Sequence, residues 1–96
     1  PTEIEGDTIK VKNVYGKQKE FLGSYLMSVE FDVDGNIGGK EVVLIINEGT
    51  EAEMKLKMGD PKSYDFYFDG MVKYIDTITL YIGDEKFDLT NNINWK

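Results

Sequence analysis

"YLMSVEFDVDGNIGGKEVVLIIN", Tyr25 to Asn47, holds two strand patterns joined by a glycine-rich loop, and the path of that loop decides the fold. In the first half Tyr25, Met27, Val29, Phe31 and Val33 alternate with Ser28, Glu30 and Asp32. That period of two belongs to a strand with one face in a core. In the second half Val42 to Ile46 is continuously apolar and largely β-branched, which predicts a central strand covered on both faces. The loop between them packs Asp32, Asp34, Glu41, Asn36 and three glycines into eleven positions.

A calcium loop and a plain turn compete for this stretch. An EF-hand loop starting at Asp32 places Asp34 and Asn36 at its third and fifth positions. Its sixth position requires Gly and its twelfth a bidentate Glu; Ile37 and Val43 stand there instead. The EF-hand is therefore excluded. Asp32, Asp34 and Asn36 remain the candidate metal ligands, with Asp60 and Asp65 of "MGDPKSYD" as partners from a second loop. The turn is preferred, because Asp34-Gly35 is a strong turn dipeptide, and no cofactor is expected.

If the turn closes a hairpin through a loop of Asp34 to Ile37, Val29 pairs with Val42 and Met27 with Leu44. The same register sets Glu30 against Glu41, and like charges directly opposed destabilise a sheet. Three outcomes relieve the conflict: a bulge at Gly38-Gly39, a bound cation, or strands that are not neighbours.

The alternation continues to both sides. "TIKVKNV" sets Ile9 and Val11 against Lys10 and Lys12. "EAEMKLKM" places Ala52, Met54, Leu56 and Met58 inward; its residues also suit a helix, and strict alternation decides for strand. "YDFYFD" puts Tyr64, Phe66 and Phe68 on one face and Asp65, Tyr67 and Asp69 on the other. "DTITLYI" and "EKFDL" point Ile78, Leu80, Ile82, Phe87 and Leu89 inward. Gly83-Asp84 reads as a type II′ hairpin turn. Seven or eight such strands predict an all-β, single-domain antiparallel β-sandwich, immunoglobulin-like, with a small barrel as the alternative. Its expected core is Val29, Phe31, Leu44, Ile46, Leu56, Phe66, Phe68, Ile78, Leu80 and Phe87. The polar ends, "PTEIEG" and "TNNINWK", are expected to be loosely held. The start at Pro1 fits either a removed initiator Met or a module of a longer protein.

Composition narrows the chemistry. There is no Cys and no His, and all eleven basic residues are lysines. Ser-His and Cys-His nucleophile pairs are absent, as are the usual zinc ligands and the guanidinium fork for phosphate. Carboxylates, lysine and tyrosine remain, and eighteen acids guarantee chance carboxylate pairs without a cleft to hold a glycoside. An enzyme is not expected. The net charge of −7 opposes direct nucleic-acid binding. The longest apolar run, Val42 to Ile46, is five residues, so no membrane insertion is expected. The abundance of Lys, Asn, Ile and Tyr without Arg points to an AT-rich coding bias, bacterial or phage.

The charge is uneven. Residues 1–24 carry four lysines and four acids, and the remainder carries seven lysines and fourteen acids. Lys10, Lys12, Lys17 and Lys19 fall on one expected hairpin, as guards of a solvated edge, with a local docking patch as the alternative. The candidate binding residues are Asp65, Tyr67 and Asp69, with Tyr81 on the following strand. Two outward aromatics beside carboxylates suit a sugar or a basic protein partner. The Glu30–Glu41 acidic face is the second candidate surface, and Trp95 is either a lid or a contact residue. Three classes of function follow. The first is a non-catalytic module that binds a protein or carbohydrate partner through an acidic and aromatic sheet face. The second is a small acidic inhibitor that mimics nucleic acid, for instance phage-encoded. The third is a structural or assembly subunit.

Overall fold

The computed structural model describes residues 3–96, all β, with no helix among them. Its strands are β1 (Glu3–Glu5), β2 (Lys10–Phe21), β3 (Ser24–Asp34), β4 (Val42–Ile46) and β5 (Met54–Lys55), then β6 (Lys57–Met58), β7 (Phe66–Val72), β8 (Ile78–Ile82), β9 (Glu85–Asp88) and β10 (Asn94–Trp95). They form two separate sheets, so the molecule is a sandwich and not a closed barrel. The larger sheet runs β1-β2-β3-β7-β6, with β10 parallel to β2; the smaller runs β5-β4-β8-β9. Every expected core residue lies in one apolar cluster fed by both sheets, Phe66 at its partly buried margin. The rings of Phe66 and Phe68 stack on Phe31 at 5.4 and 5.9 Å.

The loop after Asp34 is a crossover. β3 belongs to the larger sheet and β4 to the smaller, so Val29 pairs with Phe68, and Val42 pairs with Ile82. The predicted pairing of Val29 with Val42 and of Met27 with Leu44 does not form, and Glu30 never faces Glu41. The like-charge conflict resolves through the third outcome. Gly35 makes the crossing possible: its φ is 125°, and a Cβ there would sit 2.6 Å from the Thr8 carbonyl oxygen.

The same event explains the partial failure at "EAEMKLKM", where Ala52 is buried as expected. Leu56 donates its N–H to the Leu44 carbonyl (3.0 Å) in the smaller sheet, whereas Lys57 already pairs with Asp69 in the larger. Strict alternation keeps one face inward only while a strand stays in one sheet. Leu56 is the pivot and is buried; Met54 and Met58, expected inward, are 43% and 53% exposed. The chain also crosses at residues 73–77, so β7 and β8 are not neighbours.

Three further expectations change. Glu3–Glu5 and Asn94–Trp95 are not loose: both line β2, and Lys10 bridges to Glu3 at 3.2 Å. Pro1 and Thr2 lie outside the described residues. β2 is consequently no edge, and its lysines do not guard one. The four lysines occupy a single strand of the β2–β3 hairpin. Among the described residues the strands number ten because several are pieces of two or three residues.

Two hairpins differ in legibility. Gly83-Asp84 joins β8 to β9 with Gly83 at φ 59°, as the type II′ turn requires. β2 and β3 are joined by Leu22-Gly23, both at positive φ, the geometry of a type I′ turn. Leu22 is 90% exposed and holds a left-handed conformation that costs an ordinary residue on the order of 1 kcal/mol.

Candidate functional site

The outer face of the larger sheet is set by register. Residues paired across strands share a face. Tyr15 pairs with Glu30 and Glu30 with Tyr67, giving one outward row. The next row is Lys17, Ser28, Asp69 and Lys57, followed by Lys19, Leu26 and Met71. Tyr15 reaches this face because the register of β2 slips between Lys12 and Tyr15, where Asn13 sits at φ 54°. That bulge lets Val11 and Val14 both point inward.

Tyr67 stands between two depressions. One, of about 340 Å³, is bounded by Lys17, Lys19, Leu26, Ser28, Asp69 and Lys96. The other, of about 310 Å³, is bounded by Glu30, Asp60 and Lys62. The Tyr67 ring rests on Gly59, where a Cβ would come within 3.0 Å of Cδ2. Gly59 also donates its N–H to the Tyr67 carbonyl at 2.8 Å. A larger residue at 59 would push the ring off its seat.

A cation stands beside this ridge. Lys96 Nζ lies 2.9 Å from Glu30 Oε1, 4.7 Å from the Tyr15 ring centroid and 5.4 Å from that of Tyr64. The hydrogen bond to Glu30 holds the Lys96 ammonium above its ordinary pKa. Lys17 and Lys19 have no ion-pair partner among the described residues. A protein of net charge −7 thus presents a locally basic groove with a tyrosine wall.

The predicted site residues separate. Tyr67 and Asp69 share the outer face as expected. Asp65 instead braces β3: its Oδ2 accepts from Val33 N–H (3.0 Å), and its own N–H donates to Asp32 Oδ1 (2.9 Å). This bend before β7 moves Tyr64 out of the core, where its parity had placed it. Tyr64 sits on the outer face against Tyr15, with centroids 5.5 Å apart. Tyr81 lies on β8 in the other sheet and cannot share a face with Tyr67. Its hydroxyl donates to the Glu48 carboxylate (2.8 and 3.0 Å), and that bond raises the phenol's pKa. Glu30 and Glu41 likewise do not form one acidic face.

The loop carboxylates are engaged within the fold. Asp32 Oδ2 accepts from Asn13 Nδ2 (3.0 Å), Asp34 pairs with Lys12 (3.0 Å), and Asn36 Oδ1 accepts from Gly38 N–H (3.1 Å). Among the described residues no group of three acidic side chains is placed to hold a metal ion.

Sequence reasoning missed Tyr15, Tyr64 and Lys96 as parts of this face. The one usable signal was Asn13, since Asn tolerates the left-handed conformation of a bulge. Compared with known proteins, the chain matches no family model, no curated protein and no solved structure.

Proposed function

We propose that the chain is a non-catalytic binding module that takes a protein partner on the outer face of the larger sheet. The observation that carries this is the position of Tyr67, a seated aromatic ridge between two depressions on a face where lysines and acids alternate with exposed Leu26 and Met71. Tyrosine contributes apolar area and a hydroxyl at little entropic cost, which is why it recurs in contact hot spots. Lys17 and Lys19 favour a partner that brings carboxylates to the groove. This reverses the charge expected of the partner from Asp65, Tyr67 and Asp69 alone, because β2 brings its lysines alongside β7's neighbour. The nucleic-acid mimic is less well supported on this face, where β2 carries Lys10, Lys12, Lys17 and Lys19. Edge-to-edge assembly is less well supported too, because the exposed edges are as short as two residues at β5 and β6.

A photo-crosslinking residue at Ser28, with one at Lys86 on the opposite sheet as control, identifies what docks. Tyr67→Ala should then weaken that partner by about 2 kcal/mol or more, the hot-spot scale. Capture only from position 86, or unchanged affinity in both Tyr67→Ala and Lys17→Glu, would remove the proposal.

A further inference from the structure

A second concavity has a different chemistry. It opens at the end of the sandwich where the β2–β3 hairpin meets the 73–77 connection, and it measures about 380 Å³. Small-molecule sites span roughly 300–1,000 Å³. Its walls carry three aromatics, Tyr25, Tyr74 and Trp95, and three planar polar groups, Gln18, Asp76 and Asn91. It contains no lysine. We infer that this cleft is a binding site for a neutral saccharide.

Each wall is held in place before any ligand arrives. Gly16 and Gln18 share the inner face of β2, and Trp95 pairs with Gly16. The indole lies flush on that glycine: a Cβ there would be 2.8 Å from Cζ3 and 2.9 Å from Cε3. Trp95 still exposes 40% of its surface. The second wall hangs on Asn47, which is fully buried. Its Nδ2 donates to the Tyr74 carbonyl (2.8 Å), and its Oδ1 accepts from the N–H groups of Asp76 (2.7 Å) and Thr77 (3.1 Å). The third wall, at Asn91, is pinned on both sides. Thr90 Oγ1 accepts from Ile78 N–H (3.1 Å), and Asn92 Nδ2 donates to the Asp88 carbonyl (3.1 Å).

The side chains of Gln18, Asp76 and Asn91 make no hydrogen bond or ion pair among the described residues. Their donors and acceptors are unspent, and Gln18 also borders the outer-face groove. A pyranose matches this set. Its C–H face is apolar and slightly positive, and it stacks on the negative face of an aromatic ring. Its rim of hydroxyls both donates and accepts, as an amide does, and a carboxylate accepts from two at once. Asp76 and the lack of a cation disfavour an anionic sugar. Walls held by Asn47 and Thr90 leave little ordering to be done on binding.

Trp95 is the single tryptophan, so emission under tryptophan-selective excitation reports on this wall of the cleft, free of the six tyrosines. The full chain is titrated with cellotetraose, chitotetraose and mannotetraose, each to about 10 mM, a weak-binding ceiling. At least one should give a saturable blue shift. Gln18→Ala and Asn91→Ala should each weaken it about tenfold, the scale of one lost hydrogen bond, with Tm unchanged. Tyr67→Ala should leave the titration unaltered, and Asn91, which lines this cleft and not the outer-face groove, lets the two sites stand or fall separately. No response to any of the three sugars, a response that never saturates, or one indifferent to both amide variants would overturn the inference.

Discussion

Tyr67 and Tyr81 share one local signature: an aromatic at an outward strand position between two inward apolar residues. The fold uses them in opposite ways. Tyr67 lies on the six-stranded sheet, seated on Gly59, with open depressions to either side. Tyr81 lies on the four-stranded sheet, where its hydroxyl is spent on Glu48 and Thr79 and Ile45 beside it are 7% exposed. Outward parity therefore identifies a candidate and no more. What separates a contact residue from a shield is which strand lies alongside. That depends on where the chain changes sheets, an event with no period of its own.

The largest effect expected on the two sheets comes from Asn47, at the end of β4. It is fully buried, sits at φ 54° and makes three side-chain hydrogen bonds to the 74–77 segment. Asn47→Ala leaves those backbone groups unpaired and strains the backbone. Unsatisfied buried groups cost about 1–3 kcal/mol each, so a loss of roughly 3–5 kcal/mol in urea unfolding is expected. Asn47→Gly relieves the φ strain and should recover about 1 kcal/mol of it. A loss under about 1 kcal/mol in Asn47→Ala would show that the connection is held by other means.

The tyrosines themselves test the comparison directly. Tyr67→Ala should cost a docked partner about 2 kcal/mol or more while changing stability by no more than about 1 kcal/mol. Tyr81→Ala should do the reverse, lowering stability and leaving affinity intact. Calorimetric titration paired with thermal melts reads both. Equal behaviour of the two variants would erase the distinction between the faces.

Much of this was legible in the sequence. Period two, with the apolar run Val42 to Ile46, identified every core residue expected, because a buried face excludes polar side chains whichever strand lies next door. The β8–β9 hairpin was legible because Gly83 is the residue its turn geometry demands. Tyr64 was not. Its parity is inward, and only the hydrogen bond from the Asp65 N–H, just before β7, to the Asp32 carboxylate on β3 shows the bend that turns it out. Met54 and Met58 failed for the reason Leu56 succeeded: a sheet change at the middle residue leaves just that one facing the core. Leu22-Gly23 gives no hint of a turn at its first position, where Asn would be favoured.

Acid titration sharpens how the four-stranded sheet is anchored. Glu85 accepts from Thr8 Oγ1 (2.6 Å) and from the N–H groups of Asp7 (2.6 Å) and Thr8 (3.2 Å), tying the segment after β1 to β9. The Thr8 hydroxyl is the main cause holding the carboxyl below its ordinary value of 4.5. A carboxyl depressed in the folded state stabilises fully above its unfolded pKa. That stabilisation is lost as pH falls through the folded value. Glu85→Gln should therefore lower Tm at neutral pH and flatten the decline of Tm below the ordinary carboxylate range. A variant as pH-sensitive as the parent on the acid side would assign that decline to other carboxylates.

The smallest effect expected is that of calcium on the crossover loop, where none is predicted. A ligand that binds only the folded state raises its stability by RT ln(1 + [L]/Kd). Asp32, Asp34 and Asn36 could bind calcium only by sharing oxygens already engaged by Asn13, the Asp65 N–H, Lys12 and the Gly38 N–H. Calcium also takes six to eight oxygens, and three residues with prior commitments leave that shell far from filled. Tm should stay constant between chelator and about 1 mM calcium; a rise equal to about 1.5 kcal/mol or more would mean a site with a Kd near 0.1 mM and would restore the metal loop. Asp32→Ala separates the structural part of this residue from any metal role. Asp32 joins the Asn13 bulge to the bend at Asp65, so its loss should lower Tm equally with and without calcium. It should also loosen the bend that presents Tyr64 beside Tyr15, weakening the outer face of the larger sheet while the Tyr81 face stays as it was.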